Sequence, residues 1–171
     1  MIAIIPNWHP IFVHFTVALL LLSVALHIAT LFVSEPIKGQ WQIVARWLLW
    51  IGAAISLLTL IAGLHAFNTV SHDDPSHAAM IDHRNWAFAT LAVFFVLAIW
   101  SSLRVRANRK LGKLFLPAML IGSLLLISTA WHGGELVYRH GLGVMALPEL
   151  DKHSHEGEGH HVDGHDQEHE H

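Results

Sequence analysis

Four long apolar stretches, separated by short polar segments, dominate the pattern of hydrophobic and polar positions along the chain. They run near residues 10–33, 42–67, 86–103 and 114–137. Each is close to the length of roughly 20 residues that a helix needs to cross about 30 Å of hydrocarbon. The pattern therefore predicts an all-α fold, an integral membrane four-helix bundle within residues 1–150, with no internal repeat evident.

The composition agrees with a membrane environment. The chain is 53% hydrophobic and 13% charged, whereas a soluble domain usually carries about a quarter charged residues. Its mean hydropathy is +0.46. Because it has no cysteine, disulfides, iron–sulfur ligation by this chain and covalently attached c-type haem are excluded. The expected surroundings are the lipid bilayer, and no nucleic-acid partner is expected.

Charge segregation predicts the orientation of the bundle. The third connection carries five basic residues and no acid, namely Arg104, Arg106, Arg109, Lys110 and Lys113. The second connection, residues 68–82, carries Asp73, Asp74 and Asp82 and no basic residue. The positive-inside rule places the third connection in the cytoplasm. We therefore expect a multi-pass protein of a bacterial inner membrane with both termini on the periplasmic side.

Histidines gather at the predicted outer end of the bundle. Six of them come from the ends of all four helices, namely His9, His14, His65, His83, His132 and His140, and His72 and His77 lie in the second connection. Only His27 falls in the inner half. Ionisable side chains at membrane depth are costly, usually face the bundle interior and often mark functional sites. The cluster therefore indicates a bound metal or cofactor, and His14 is expected to point inward.

Two motifs suggest a family. The segment Trp8-His9-Pro10-Ile11-Phe12-Val13-His14-Phe15 and the glycine-rich segment 133–144 resemble the two signatures of a bacterial four-helix membrane family called domain of unknown function 2231. The resemblance covers roughly residues 5–147. It implies four membrane helices and, because some members are joined to Rieske-type or cytochrome-type domains, contact with electron transfer. The family-like positions are His9, His14, His83 and His140.

Two functions fit these residues, and a purely structural membrane protein is a third reading. The first is electron transfer through b-type haem, which needs one or two axial histidines. For haem, His14 and His83 are the expected ligands, His140 is the alternate, and His9 completes the cofactor-binding set. The second function is periplasmic binding or transport of a transition metal without haem, involving His65, His132, His72 and His77. Whether the protein is an enzyme is left open.

The last 21 residues differ in character from the rest. Residues 151–171 alternate histidines with acids and offer little apolar surface, so disorder is predicted. Imidazoles and carboxylates can bind divalent transition metals. The candidate metal ligands in this tail are His153, His155, His160, His161, His165, His169 and His171. A redox partner, a quinone and a second copy of the chain are the partners left open.

Overall fold

Four helices make up the computed structural model, which describes residues 7–144. The helices are α1 (His9–Ala29), α2 (Ile37–Thr69), α3 (Asp74–Arg106) and α4 (Phe115–Tyr138), and these residues contain no strand. The all-α, four-helix prediction is confirmed. The tail 151–171 with its seven histidines lies outside the described residues, so the predicted domain division stays a prediction.

All four helices are long and apolar enough to cross a membrane. Large apolar side chains cover the outside of the bundle, among them Leu22, Ile51, Val96 and Leu124, each of which is exposed. A soluble protein rarely leaves contiguous apolar surface of this extent open to water. The outside of the bundle is therefore the surface that contacts lipid.

The helices pack in cyclic order. α1 packs most extensively on α2 and α3 on α4, while smaller contacts join α2 to α3 and α4 to α1, so α1 and α3 lie on a diagonal. The starts of α1 and α3 meet the ends of α2 and α4 at one end of the bundle, which we call the histidine end. The opposite end, with the connections 30–36 and 107–114, is the basic end.

The second connection is shorter than predicted, because α3 begins twelve residues earlier than the apolar pattern suggested. The Asp73 side chain accepts a hydrogen bond from the Ser76 backbone N–H, and the Ser76 hydroxyl oxygen accepts one from the Asp73 backbone N–H. This capping box and Pro75 in the first turn start the helix within a polar segment. Only residues 70–73 connect the helices, and α2 and α3 are 33 residues each. At about 1.5 Å per residue, both exceed the hydrocarbon thickness.

The core reveals an internal repeat that the sequence hides. Leu20 and Phe94 are 74 positions apart on α1 and α3, Leu49 and Met119 are 70 positions apart on α2 and α4, and all four side chains are 0% exposed. The space beside Gly52 is filled by Leu20, and that beside Gly122 by Val93 and Phe94. The hairpins α1–α2 and α3–α4 are therefore two versions of one unit, with a twofold relation about the bundle axis. Because residue identity is rarely retained between the two hairpins, no repeat is evident in the sequence. The structure corrects the expectation that there is none.

Candidate functional site

His9 is fixed to the neighbouring helix of its own hairpin. It is the first residue of α1, and its Nδ1 lies 3.0 Å from the backbone carbonyl oxygen of Thr59 on α2. A carbonyl oxygen can only accept, so Nδ1 donates its proton. In the neutral ring the proton is then absent from Nε2, which keeps a lone pair. The bond therefore fixes both the orientation and the tautomer of His9.

His83 is held in the same way in the second hairpin. Its Nδ1 donates to the backbone carbonyl oxygen of Thr129 on α4 over 3.1 Å. His9 and His83 are 74 positions apart, and Thr59 and Thr129 are 70 apart, so the two bonds occupy equivalent places in the repeat. Among the histidines of residues 7–144, these are the two whose rings bond to the backbone of another helix.

The same threonines also join the helices through their hydroxyl groups. The Oγ1 atoms of Thr16 and Thr59 are 2.7 Å apart, and those of Thr90 and Thr129 are 2.8 Å apart. Thr59 already donates its only hydroxyl proton to the carbonyl oxygen of Ile55, so Thr16 is the donor to Thr59. In each hairpin, the first helix thus carries a histidine and, seven residues later, a threonine. Both side chains bond to one threonine of the second helix.

Two glycines give the histidine rings their space. A Cβ atom on Gly63 would lie 2.9 Å from Cε1 of His9, and one on Gly133 would lie 3.0 Å from Cε1 of His83. Both distances are too short for an unshifted ring. Each glycine lies four residues after the anchoring threonine, one helical turn along the same face. The unit of each hairpin is therefore a histidine, two threonines and a glycine.

The two units bring His9 and His83 together across the diagonal of the bundle. Their ring centroids are 6.2 Å apart and their planes make an angle of 82°. Both side chains are half-buried at the histidine end. Two imidazoles therefore lie next to each other. The Nδ1 atom of each bonds to a carbonyl oxygen, and in the neutral ring the Nε2 atom keeps a lone pair. This arrangement can offer two nitrogen ligands to one bound group.

His14 does not share this site. Its side chain is exposed, and its Nδ1 bonds to the carbonyl oxygen of Pro10 in its own helix. The buried face of α1 instead includes Thr16 and Leu20. Five residues, or about 1.4 turns, separate His14 from His9, which carries it off the face that His9 and Thr16 share. The expected inward orientation of His14 is therefore wrong, and His9 is the residue that meets His83.

Residues 6–146 match the family described as Predicted membrane protein (DUF2231). The chain belongs to this family. Comparison with curated proteins and with solved structures finds no match. The matched segment contains both hairpins and hence the whole His9–His83 site of this DUF2231 protein. The resemblance seen in the sequence motifs is confirmed, and the family description itself gives a membrane location without a reaction.

The other candidate residues on α2 and α4 of the DUF2231 chain are arranged differently. His132 bonds to the Ser128 carbonyl of its own helix and stacks on Trp86 at 5.5 Å between centroids. His65 is exposed, and His140 is half-buried just beyond α4. Glu135 forms an ion pair with Arg139 one turn away, over 2.6 Å, so its carboxylate is neutralised locally.

His72 and His77 form a second, separate pair. Nε2 of His72 lies 2.9 Å from Nδ1 of His77, and Nδ1 of His72 donates to the Val70 carbonyl. His77 is therefore the donor between the two rings. Next to this pair, hydrogen bonds from the Ser76 side chain and backbone lower the pKa of Asp73, the capping residue of α3. The pair lies in and after the short connection between α2 and α3, at the histidine end.

A metal site formed by protein ligands alone is not found in the part of the chain that the structure describes. Residues 7–144 contain no group of three or more histidines and carboxylates placed to hold a metal ion. The metal ligands predicted in the tail lie outside these residues. The cofactor and metal roles of all candidate histidines therefore stay predictions.

The motif search missed the residues that build the site around its histidines. Thr59, Thr129, Gly63 and Gly133 are not among the candidate residues predicted from the sequence. The usable signal was the recurrence of Thr-x-x-x-Gly, once in α2 and once in α4, at Thr59–Gly63 and Thr129–Gly133. A histidine seven residues before a threonine in α1 and α3 completes that pattern.

Proposed function

We propose that this DUF2231 protein binds one b-type haem at the histidine end of the bundle, through Nε2 of His9 and Nε2 of His83, and serves in electron transfer. The observation that carries the proposal is the arrangement of these two rings on diagonal helices. It differs from the pair His14 and His83 that was expected from the sequence. Bound haem would supply one-electron transfer at its iron.

The number of ligands favours haem over a metal ion alone. A zinc site usually takes three or four protein ligands. A haem iron receives four nitrogens from its porphyrin and needs one or two from the protein. The described residues bring together two imidazoles here and no group of three or more metal-binding side chains. A two-histidine site is sufficient for haem and incomplete for zinc.

The separation of the rings fits the same conclusion. A group held by two histidines requires their rings to lie close to each other. The centroids of His9 and His83 are 6.2 Å apart. The carbonyl oxygens of Thr59 and Thr129 each accept a hydrogen bond from the Nδ1–H group of one ring. Such partners fix the orientation of a ligating histidine and raise its basicity.

Charge supports an assignment of this end to the outer side of a bacterial inner membrane. The last turn of α3 and the connection after it carry Arg104, Arg106, Arg109, Lys110 and Lys113, all at the basic end. By the positive-inside rule that end is cytoplasmic. His27 is the one histidine of the described helices in that half. A haem at the histidine end would therefore exchange electrons with a partner or quinone on the periplasmic side.

The test is to purify the full chain in detergent after expression with ample haem. Reduced-minus-oxidised visible spectra, haem quantification and elemental analysis are then compared among variants. We expect one haem per chain in the wild type and its loss in His9→Ala and in His83→Ala. His14→Ala and His132→Ala are matched controls, because both rings bond within their own helix, and they should keep the haem.

Three results would overturn the assignment. Loss of haem in His14→Ala with retention in His9→Ala would restore the pair predicted from the motifs. Stoichiometric copper, zinc or nickel that disappears when residues 151–171 are deleted would identify a metal-handling protein instead. Absence of both haem and metal from chain supplied with each would leave the histidines a structural role.

A further inference from the structure

An open groove lies between α2 and α3, on the part of the bundle nearer the basic end. Its volume is about 370 Å³. Small side chains, among them Ala54 on α2 and Ala98 and Ser102 on α3, line it together with large apolar ones, and Arg106 lies at one end. Because the outside of the bundle contacts lipid, this groove opens toward the hydrocarbon.

The residues that line this groove differ from those at the equivalent place of the repeat. The place equivalent to it lies between α4 and α1. The positions that correspond to Ala54, Ala98 and Ser102 carry the larger side chains Leu124, Val24 and Ile28. Smaller residues, Leu21, Ala25 and Ala29, stand there in place of Phe95, Ile99 and Leu103 of the groove, so the two places differ in shape.

A positive charge lies at the mouth of this groove. Arg106 is the last residue of α3 and is exposed, and within residues 7–144 no carboxylate lies within ion-pair distance of it. Phe32 occupies the equivalent position of the first hairpin. Arg104 and Arg109 add further positive charge at the same end. The groove thus combines an apolar channel with a cationic entrance.

The dimensions of the groove match one leaflet of a bilayer. It extends along α3 from Phe95 to Arg106. At about 1.5 Å per residue this is roughly 16 Å, and half of a hydrocarbon core of about 30 Å is roughly 15 Å. A molecule with its head at Arg106 would therefore have its apolar part at the depth of an acyl chain.

We propose that the groove binds one anionic phospholipid, with its phosphate at Arg106 and an acyl chain between α2 and α3. Basic pockets between membrane helices on the cytoplasmic side are suited to anionic head groups. The lipid joins the two hairpins at one of the two places where they meet. This site is at the opposite end from His9 and His83 and does not depend on haem binding.

The experiment is native mass spectrometry of the full chain released from bilayers of equal parts phosphatidylglycerol and phosphatidylcholine. In the wild type we expect one retained phosphatidylglycerol per chain. Arg106→Gln should lower the preference for phosphatidylglycerol severalfold, because it removes the charge at the head-group end of the groove. Arg109→Gln is the matched control, since Arg109 is at the same end but does not line the groove, and it should leave the preference near the wild-type value.

A second variant tests the apolar part of the site. Ala54→Leu places in the groove the side chain that Leu124 provides at the equivalent position, and it should reduce retention of both lipids while the chain stays folded. Equal losses of preference in Arg106→Gln and Arg109→Gln would show general surface attraction and overturn the proposal. Retention of a neutral lipid or a quinone that Arg106→Gln does not change would also overturn it.

Discussion

His9 and His83 lie on diagonally opposite helices with their ring centroids 6.2 Å apart, and each donates its Nδ1 proton to a threonine carbonyl of the next helix. The relationship follows from the repeat, because both rings occupy one position of a duplicated helical hairpin. This position faces the space between the two hairpins, where the two rings meet. Each half of the molecule therefore brings one histidine ring to this place.

The first prediction concerns the glycine that makes room for His83. Gly133→Ala would place a Cβ 3.0 Å from Cε1 of His83. The ring is fixed at Nδ1, so it can move only by weakening its bond to Thr129. We expect a lower haem content per chain and a loss of stability of about 1–3 kcal/mol, the usual cost of overpacking. Haem quantification and thermal unfolding in detergent measure both effects.

The adjacent glycine supplies the control for this prediction. A Cβ on Gly134 would meet nothing within 4 Å. Gly134→Ala should therefore keep the haem, and the better helix propensity of alanine should leave stability unchanged or raise it by up to about 1 kcal/mol. Equal haem content in the two variants would show that His83 does not need the space beside Gly133.

The two threonine pairs provide a test of the internal repeat. Thr16 donates to Thr59, and Thr90 is joined to Thr129 in the same way. Hydrogen bonds between membrane helices contribute about 0.6 kcal/mol on average. We expect Thr16→Val and Thr90→Val to destabilise the protein by similar amounts of this size, as measured by reversible unfolding in mixed micelles.

Double-mutant cycles separate the pairs from the general effect of removing a hydroxyl. Thr16→Val combined with Thr59→Val should show a coupling energy, because the two residues share one bond. Thr16→Val combined with Thr129→Val should be additive, since these residues share none. The twofold reading fails if the coupling is as large across the hairpins as within one.

The four membrane helices could be predicted from the sequence because predominantly apolar stretches of about 20 residues have few other structures open to them. The start of α3 could not, since residues 74–85 are polar and a helix there depends on the capping box of Asp73 and Ser76. Hydropathy measures the preference for lipid and is insensitive to a helix that continues into water. The site was found only in part, for a related reason.

His83 was predicted as a ligand because a histidine near a membrane helix is costly and therefore informative, and this role stays a prediction. The ring that lies beside it could not be predicted, because both His9 and His14 are near the start of α1 and the sequence does not say which one faces α2. His9 faces α2 because the Thr59 carbonyl oxygen bonds its ring and Gly63 leaves space for it, and both residues are on a different helix, some fifty residues away. Contacts between helices of this kind are tertiary information that helical spacing within α1 does not contain.

A third prediction concerns the pH dependence of the cap of α3. Hydrogen bonds from Ser76 lower the pKa of Asp73 below its ordinary value of 3.8. A carboxylate whose pKa is lower in the folded state stabilises the fold above the unfolded pKa, and this contribution is lost as the pH falls through the folded pKa. The first turn of α3 should therefore stay protected from amide exchange down to about pH 4 and lose protection only below that value.

The capping partner can be removed to check the cause. Ser76→Ala deletes the side-chain hydrogen bond and should raise the pKa of Asp73 toward its ordinary value, so that protection is lost at a higher pH. Ser71→Ala, in the same connection but outside the capping box, should leave the titration unchanged. A carboxyl-carbon NMR titration of Asp73 reads the pKa directly, and an unchanged value in Ser76→Ala would contradict the assigned cause.

The last prediction tests the orientation in the membrane, and the absence of cysteine makes it direct. Ser71→Cys introduces a thiol in the connection at the histidine end, where residue 71 is exposed, and Gly112→Cys introduces one at the basic end, where an added Cβ meets no atom within 4 Å. With the basic end in the cytoplasm, a membrane-impermeant maleimide applied to spheroplasts should label the thiol of Ser71→Cys and not that of Gly112→Cys. After the membrane is permeabilised, both should react, which controls for access. Labelling of Gly112→Cys alone in intact spheroplasts would show the opposite orientation, with the His9–His83 site on the cytoplasmic side. The five basic residues would then lie outside, against the positive-inside rule.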